Sequence, residues 1–411
     1  MSKKAKKIWF LTQGYGVCGG HEAHVLHFAT ELREHGYDTS VLVIDRLPEE
    51  QHRFMSALRE RKIPLVSIGD YLNGQIDFLT LVLYVPWAIR MKLRGEPTSW
   101  ALLHRYLHER LGPRWLSAQI KSDDPAIIHA HGRLPETYWP CLPLSLSVLH
   151  HGTEGRRDDT WDDSEAEAFS AFAERCARNF APGQGVAENL REAFGITKKI
   201  HTIYTICPDS EGAATVAKTM SERTGPKTVF GILCRMTPEK GIDTLLKALL
   251  VTKQTMGEVH FRFFGSGQLD ETILAFIKDN GLDDVCVSHD FDSPLEALSE
   301  LDVFVHPSVS DAMPMAIAEA LMCGLPCITT RVGGIPELVR HDVEGTLVEP
   351  HDADALAAAM CAFANMDLDT RRTFSESARA RYEAVCTTTI VGGTLVEHYA
   401  NVLAEAPKKN P

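Results

Sequence analysis

A chain of 411 residues with 44% hydrophobic and 24% charged side chains is too long for a single hydrophobic core, and its composition excludes a disordered or disulfide-built protein. Two domains of roughly 150 to 200 residues each are expected. The formal charge of −13 argues against a protein that wraps nucleic acid, since neutralising phosphates takes a clustered basic surface, so no nucleic-acid partner is expected.

Met1 to Lys7 carry four lysines ahead of a short apolar stretch, Ile8 to Thr12. That stretch is too brief for a signal-peptide core and lacks a small-residue cleavage site, so a cytoplasmic location is expected. From there, short β-branched or aromatic runs alternate with helix-length amphipathic segments, the signature of parallel sheets built from βαβ units. The first strands are predicted at Lys7 to Thr12, Thr39 to Ile44, Pro64 to Ile68, Ala126 to Ala130, Ser145 to Leu149 and Ile200 to Tyr204. A second series follows at Thr228 to Leu233, Val259 to Phe264, Val285 to Val287, Val303 to His306, Cys327 to Thr330 and Gly345 to Val348. Between them, 207–227 is small, polar and interrupted by two prolines and two glycines, which suits a linker. The predicted organisation is a domain over 1–206, a linker over 207–227, a second domain over 228–385 and a closing segment over 386–411. Amphipathic helices are expected at roughly Thr370 to Ala384 and Ile390 to Ala404. Two doubly wound α/β domains of this kind bind ligands at the carboxyl ends of their strands, in a cleft between them.

After the first strand, Gly14-Tyr-Gly-Val-Cys-Gly19 matches the G-x-G-x-x-G dinucleotide pattern, and Asp45 follows the second strand where such a domain would hold a ribose. The helix starts only near His21, so Gly19 and Gly20 precede it, whereas the last glycine of a dinucleotide fingerprint lies within it. A glycine loop whose backbone approaches a phosphate or sugar is the stronger reading, with a nicotinamide-dependent dehydrogenase as a rival. Further on, Tyr71 to Ser122 breaks the alternation, carrying Trp87, Trp100 and Trp115 among Arg90, Lys92, Arg94, Arg105, Arg110 and Arg114. A helical insertion over about 71–122, packed on its own domain, is one reading. The other is a peripheral membrane contact at the inner face of the membrane, because Trp and Arg suit the headgroup level.

Four histidines then cluster at two strand ends, His129 and His131 in Ile-His-Ala-His-Gly132, and His150 and His151 in Leu-His-His-Gly152. Zinc binding is one reading of such a set. Alternate residues of a strand share a face and the adjacent pair does not, so three converging ligands would need a sharp turn, and no metal is expected. The ten cysteines are scattered without zinc spacing and read as reduced core thiols.

In the second half, Cys234-Arg-Met-Thr-Pro-Glu-Lys-Gly241 follows a strand and precedes a helix, placing Arg235 and Lys240 on a loop at the strand's carboxyl end. A guanidinium and an ammonium there can neutralise a diphosphate leaving group as its bond breaks. Phe264-Gly-Ser-Gly267 also follows a strand, so the N–H groups of Gly265 and Gly267 could meet phosphate oxygens. The densest stretch runs from His306 to Ala320. Pro314 suits a helix start, which leaves Asp311 in the preceding loop and Glu319 about one and a half turns inside. Two carboxylates flanking a helix N-terminus can accept hydrogen bonds from hydroxyls while the first N–H groups of the helix, in the turn of Met313, Pro314, Met315 and Ala316, address a phosphate, although Met313-Pro-Met315 is more often packing than binding. That division of labour suits a nucleotide sugar. Asp290-Phe-Asp292 and Asp352-Ala-Asp354 imitate a D-x-D metal motif, but short acidic pairs recur by chance.

These residues carry a resemblance. From Thr228 to Pro350 the chain resembles the family-4 retaining glycosyltransferases with the GT-B fold, and the likeness extends over nearly the whole length. Its marks are Arg235 with Lys240 in R-x(4)-K-G, Glu319 within Ala-Glu-Ala-Leu, Cys323-Gly-Leu-Pro326 and Gly333-Gly-Ile-Pro-Glu337. The resemblance implies two Rossmann-like domains facing each other across a cleft, with the closing helix returning to the N-terminal domain. It implies that Arg235 and Lys240 hold the donor diphosphate, that Glu319 binds the ribose, and that Asp311 contacts the donor sugar in place of the family's usual Glu. His151, before Gly152, would lie beside the donor sugar, with His150 as the fallback, and Gly19 and Gly20 would form the family's N-terminal glycine loop. The implied reaction moves a sugar from a UDP- or GDP-sugar to a carbohydrate, glycolipid or small-molecule acceptor with retention, by front-side attack, without metal or other cofactor. A nucleotide-sugar epimerase on the same scaffold and a catalytically idle sugar-nucleotide sensor are the rival readings.

Overall fold

In a computed structural model, the β-branched runs become strands of two parallel sheets, described over residues 5–13, 20–45, 52–69, 85–86, 88–90, 92, 107–132, 134–150, 161–222, 227–288 and 293–406. The chain divides into two compact units. One is Met1–Ala181 with Asn189–His201 and Thr394–Pro411, and the other is Pro182–Glu188 with Thr202–Gly393.

The first unit holds a seven-stranded sheet built from Lys7–Thr12 (β1), Asp38–Val43 (β2), Leu65–Ser67 (β3), Ile127–His131 (β4), Ser147–His150 (β5), Arg178–Ala181 (β6) and Ile200–Thr202 (β7), in the order β3-β2-β1-β4-β5-β6-β7. The strand order reverses between β1 and β4, at the switch point where doubly wound sheets bind ligands. Ile8, Phe10 and Leu11 of β1 are fully buried, as are Val25, Phe28, Ala29 and Leu32 of the helix Gly20–Glu34, which recur at helical spacing. The terminal helix Gly393–Glu405 buries Leu395, Tyr399 and Val402 in this unit, and the Tyr399 hydroxyl hydrogen-bonds His129 Nδ1.

β6 is absent from the sequence reading. Its four residues, Arg-Asn-Phe-Ala, show no alternation and are all buried. They form a strand because β5 pairs with them and because their polar groups find partners: Arg178 Nη1 bonds Glu405 Oε2 at 2.9 Å, and Asn179 Nδ2 donates to the Ala173 carbonyl at 3.0 Å. Of the insertion at 71–122, Gly112–Asp123 is a helix, and Trp87, Trp100, Arg94 and Arg105 lie outside the described residues. Among the described residues no helix is long and apolar enough to cross a membrane.

The second unit holds Val229–Leu233 (β8), His260–Phe264 (β9), Val285–Ser288 (β10), Val303–His306 (β11), Cys327–Thr330 (β12) and Gly345–Val348 (β13), in the order β10-β9-β8-β11-β12-β13. Alternate residues divide between two cores. Phe230, Ile232, Phe261, Phe263, Val303 and Val305 face one with Leu245 and Met360, whereas Leu233, Phe264 and Phe304 face the other with Ile317, Leu321 and Tyr382. The expected linker is corrected here: Ala213–Glu222 is a helix that packs on Leu368–Val385 and belongs to this unit. Composition misled because Gly212 immediately precedes the helix, while Ala213, Val216 and Ala217 supply apolar contacts to its own unit. Among the described residues five cysteines are buried as expected, but Cys286 on β10 is exposed.

Candidate functional site

The loop from Cys234 to Gly241 leaves the carboxyl end of β8, and the loop from Pro307 to Pro314 leaves that of β11, its neighbour in the sheet. Main-chain bonds join the two. The Glu239 carbonyl accepts from the N–H groups of Val309 and Ser310 at 2.9 and 3.4 Å and from Ser308 Oγ at 2.9 Å. Gly241 permits the approach: its φ is +69°, and a Cβ would lie 2.0 Å from the Pro307 carbonyl oxygen. Gly333 closes on the same loop from another side, with φ of +51° and a Cβ position 1.9 Å from the Asp311 carbonyl oxygen. The glycines of R-x(4)-K-G and of Gly333-Gly-Ile-Pro-Glu337 therefore set the spacing of three backbone segments.

This packing delivers Lys240 to Asp311. Lys240 Nζ lies 2.6 Å from Asp311 Oδ2, with the side chains only 15% and 12% exposed. The same oxygen contacts His306 Nε2 at 3.0 Å and Ser308 Oγ at 3.4 Å. Burial pushes the Asp311 carboxyl up, but the Lys240 ammonium and the His306 hydrogen bond outweigh it and hold the group well below the usual carboxylate range. Arg235 differs: its guanidinium is 54% exposed and meets Glu239 Oε1 only at 3.7 Å, so it stands available to an anion from solvent.

Glu319 sits one turn inside the helix Met315–Met322, which begins after Pro314 at its N-cap. Burial alone pushes its carboxyl up to about 7. Met313 and Met315 serve packing: both are buried, and Met313 accepts from the Thr205 hydroxyl through its carbonyl at 2.9 Å. Pro314 is buried as well, and Ala316 is partly exposed. The N–H groups expected to be free at the Gly265 and Gly267 turn are engaged within the fold, by the Ser288 carbonyl at 3.2 Å and by Asp270 Oδ1 at 3.0 Å. Both glycines instead allow that turn to press against Cys234 and Met236, beside Arg235. Glu337 caps another segment, accepting from the N–H groups of Gln184 and Gly185 at 2.8 and 3.0 Å and from the Tyr204 hydroxyl at 3.2 Å.

In the first unit, Gly20 opens its helix on the surface, while Gly19, the preceding residues from Gly14 to Cys18, and His151 lie outside the described residues. His150 ends β5. His129 and His131 share a face of β4 as alternate residues must, but both are buried among rings: His129 stacks on Phe10 at 5.0 Å, and His131 meets His21 edge-on at 4.5 Å. Burial pushes the His129 imidazole down to about 3. Asp352 is a helix cap, its Oδ1 accepting from Ala355 N at 2.8 Å, and Asp290 and Asp292 lie outside the described residues. Among the described residues, one group could hold a metal ion, Glu258, His260 and Asp284. It lies at the amino ends of β9 and β10, away from the loops that carry Arg235 and Asp311, and Lys227 already pairs with Glu258 at 2.8 Å. Sequence reasoning gives His306 and Ser308 no role, since the end of β11 and the loop after it, which bring the two to Asp311, are visible only in the fold.

Residues 227–365 match the family described as Glycosyl transferases group 1, and residues 18–208 match the family described as Glycosyltransferase Family 4. Both describe glycosyl transfer rather than epimerisation. The amylovoran biosynthesis glycosyltransferase AmsK of Erwinia amylovora is 33% identical over 147 residues, which cover 33% of this chain and 36% of that one. A GDP-mannose-dependent alpha-(1-6)-phosphatidylinositol monomannoside mannosyltransferase of Mycobacterium tuberculosis is 26% identical over 285 residues, 66% of this chain and 67% of that one. The chain spans 36% to 42% of the length of the curated relatives it matches at 31% to 33% identity. Among solved structures, HepE of Anabaena in complex with UDP and glucose superposes with a TM-score of 0.71 at 18% identity, over 96% of this chain and 100% of that one. A glycosyltransferase from Rickettsia africae does so with a TM-score of 0.72 at 15% identity, over 98% and 100%.

Proposed function

We propose, from the premise that the chain belongs to the family-4 glycosyltransferases and has their GT-B fold, that it transfers a hexosyl unit from a nucleotide diphosphate sugar to an acceptor hydroxyl. The observation that carries this is the gathering, at adjacent strand ends of one sheet, of a solvent-facing Arg235, an ion-paired Lys240 and Asp311, and Glu319 in the first turns of a helix. Arg235 and Lys240 take the diphosphate, Glu319 the ribose hydroxyls and Asp311 the sugar.

In the reaction the bond from the anomeric carbon to the diphosphate oxygen breaks and a bond to the acceptor oxygen forms on the same face. The acceptor proton passes to the departing diphosphate oxygen, so the configuration is retained and no protein nucleophile is needed. The two cations offset the negative charge that grows on the diphosphate, which removes the need for a metal ion. His151, Gly19 and Gly20 enter this reading only through the roles that the family resemblance implies for them. UDP and GDP donors are both favoured, the first by HepE, described with UDP, and the second by the mycobacterial relative, described as GDP-mannose-dependent. The amylovoran biosynthesis relative and the phosphatidylinositol monomannoside mannosyltransferase favour a role in polysaccharide or glycolipid synthesis. Val85 and Ile89, 51% and 56% exposed beside Arg90 and Lys92, favour a peripheral membrane contact through 71–122.

The test is incubation with a panel of UDP- and GDP-hexoses and glycan or lipid-linked acceptors, reading nucleotide release and the anomeric configuration of the product. Arg235→Ala and Lys240→Ala are each expected to lower transfer by about 100-fold or more, as loss of a transition-state charge partner does. Transfer that survives both changes, or NADH binding in place of nucleoside diphosphate binding, overturns the reading.

A further inference from the structure

The Asp311 carboxylate is held by one oxygen. Lys240 Nζ, His306 Nε2 and Ser308 Oγ all fall on Oδ2, and Oδ1 takes none of these contacts. The three partners are not equivalent. Lys240 is the cation expected to meet a diphosphate, so its bond to Asp311 must loosen when a donor enters. The partners that stay behind decide where a carboxylate only 12% exposed then sits.

His306 is built to stay. It is the last residue of β11 and only 1% exposed, its carbonyl accepts from Thr329 Oγ1 of β12 at 2.7 Å, and its ring lies parallel to that of Phe304. Its other nitrogen, Nδ1, is buried without a hydrogen-bond partner among the described residues. A proton there would be a buried donor with no acceptor, so the ring keeps its proton on Nε2 and donates it to Asp311. Burial pushes the imidazole down further than Asp311 raises it, and the Lys240 charge acts in the same direction as burial. His306 is therefore a neutral, immobile donor, whereas Lys240 is a charged and flexible one. A methylene shorter than Glu, Asp311 is within reach of this strand-end histidine.

We propose that His306 is a positioning residue of the donor site: its Nε2–H anchors Oδ2 of Asp311, so that Lys240 can turn to the donor diphosphate while Oδ1 remains for a hydroxyl of the donor sugar. This rests on the donor-site reading above. Without the anchor, Asp311 keeps only Lys240 and the long 3.4 Å contact of Ser308, whose hydroxyl also reaches the Glu239 carbonyl at 2.9 Å, and it competes with the diphosphate for Lys240.

The experiment measures UDP and GDP binding by calorimetry in the full chain, with thermal melting as a check on folding, for His306→Phe and His306→Gln. Gln places an amide N–H where Nε2–H stood, and Phe removes the donor but keeps a ring. His306→Phe is expected to weaken binding of the preferred nucleotide by about ten-fold, the scale of one hydrogen bond to a charged group, with His306→Gln within about three-fold of wild type. If His306→Phe does not fold, His306→Asn serves instead, since its amide is too short to reach Asp311, and it should match the Phe expectation. Equal binding in the donor-lacking variant and wild type overturns the proposal, as does a Gln variant as weak as the Phe or Asn one. Wild-type protein that binds neither nucleotide overturns the donor-site reading itself, and the inference with it.

Discussion

Glu319 concentrates the electrostatic consequence of burial in a single carboxyl. Its ordinary value of 4.5 is raised to about 7, so between these limits the folded chain binds a proton that the unfolded chain has released. The sign follows: this group's contribution to stability is fully present below about pH 4.5, falls as pH rises and is lost above about 7, by at most about 3 to 4 kcal/mol. Urea midpoints measured from pH 4.5 to 7.5 should show that fall in the wild type and a flatter profile in Glu319→Gln. Ribose hydroxyls that donate to the carboxylate favour its charged form, so nucleoside diphosphate binding near pH 6.5 should release protons. Calorimetry in two buffers of different ionisation enthalpy reads this directly, and no proton release would remove Glu319 from the ribose site. Asp311, in the loop that leads into the helix carrying Glu319, has the opposite fate because a cation and an imidazole outweigh its burial.

At the scale of elements, loops held apart by the chain's own sterics are brought together by glycine. Gly241 and Gly257 bracket the same helix, Ile242–Met256, and both have positive φ, +69° and +86°. A Cβ on Gly257 meets nothing within 4 Å, whereas one on Gly241 meets the Pro307 carbonyl at 2.0 Å. Gly257→Ala should therefore cost about 1 to 2 kcal/mol, from backbone strain alone. Gly241→Ala should cost about 3 kcal/mol or more and should also weaken nucleotide binding, because the strain is joined by a clash that displaces Lys240 from Asp311. Denaturant titration of the two variants checks the difference, and equal costs would show that the Lys240 and Pro307 loops move apart freely. The strand elements were legible wherever alternation or a β-branched run marked them, as at Val303–His306. β6 was not, because Arg178 and Asn179 are buried through partners elsewhere in the chain, at Glu405 and Ala173.

For the whole molecule, the chain's path separates the two units unequally. The second is Thr202–Gly393 with the short segment Pro182–Glu188, whereas the first needs three segments, the last of them Thr394–Pro411. Residues 182–393 expressed alone should give dispersed amide spectra and a cooperative melt. Residues 1–201 should not, since their sheet lacks the helix that buries Tyr399 against His129 and Phe180, and adding 394–411 as a peptide or a fusion should restore folding. A folded 1–201 fragment would count against that dependence. Composition alone points to a linker at 207–227, but Ala213–Glu222 finds an apolar partner in Leu368–Val385, and composition carries no record of a contact across such a separation.

The sequence by itself determined the sheet-forming periodicity, the two-series organisation and which charged residues lie on loops at strand ends, because side-chain alternation and loop-borne charges are local in the chain. Only the tertiary structure decided how those charges are used. Lys240 and Asp311 are seventy-one positions apart, and whether they meet, with His306 behind them and Arg235 left to solvent, depends on two adjacent strand ends and on glycines that let the backbones touch. Burial, which sends the carboxyls of Glu319 and Asp311 in opposite directions once partners are counted, is likewise a property of the packed chain alone.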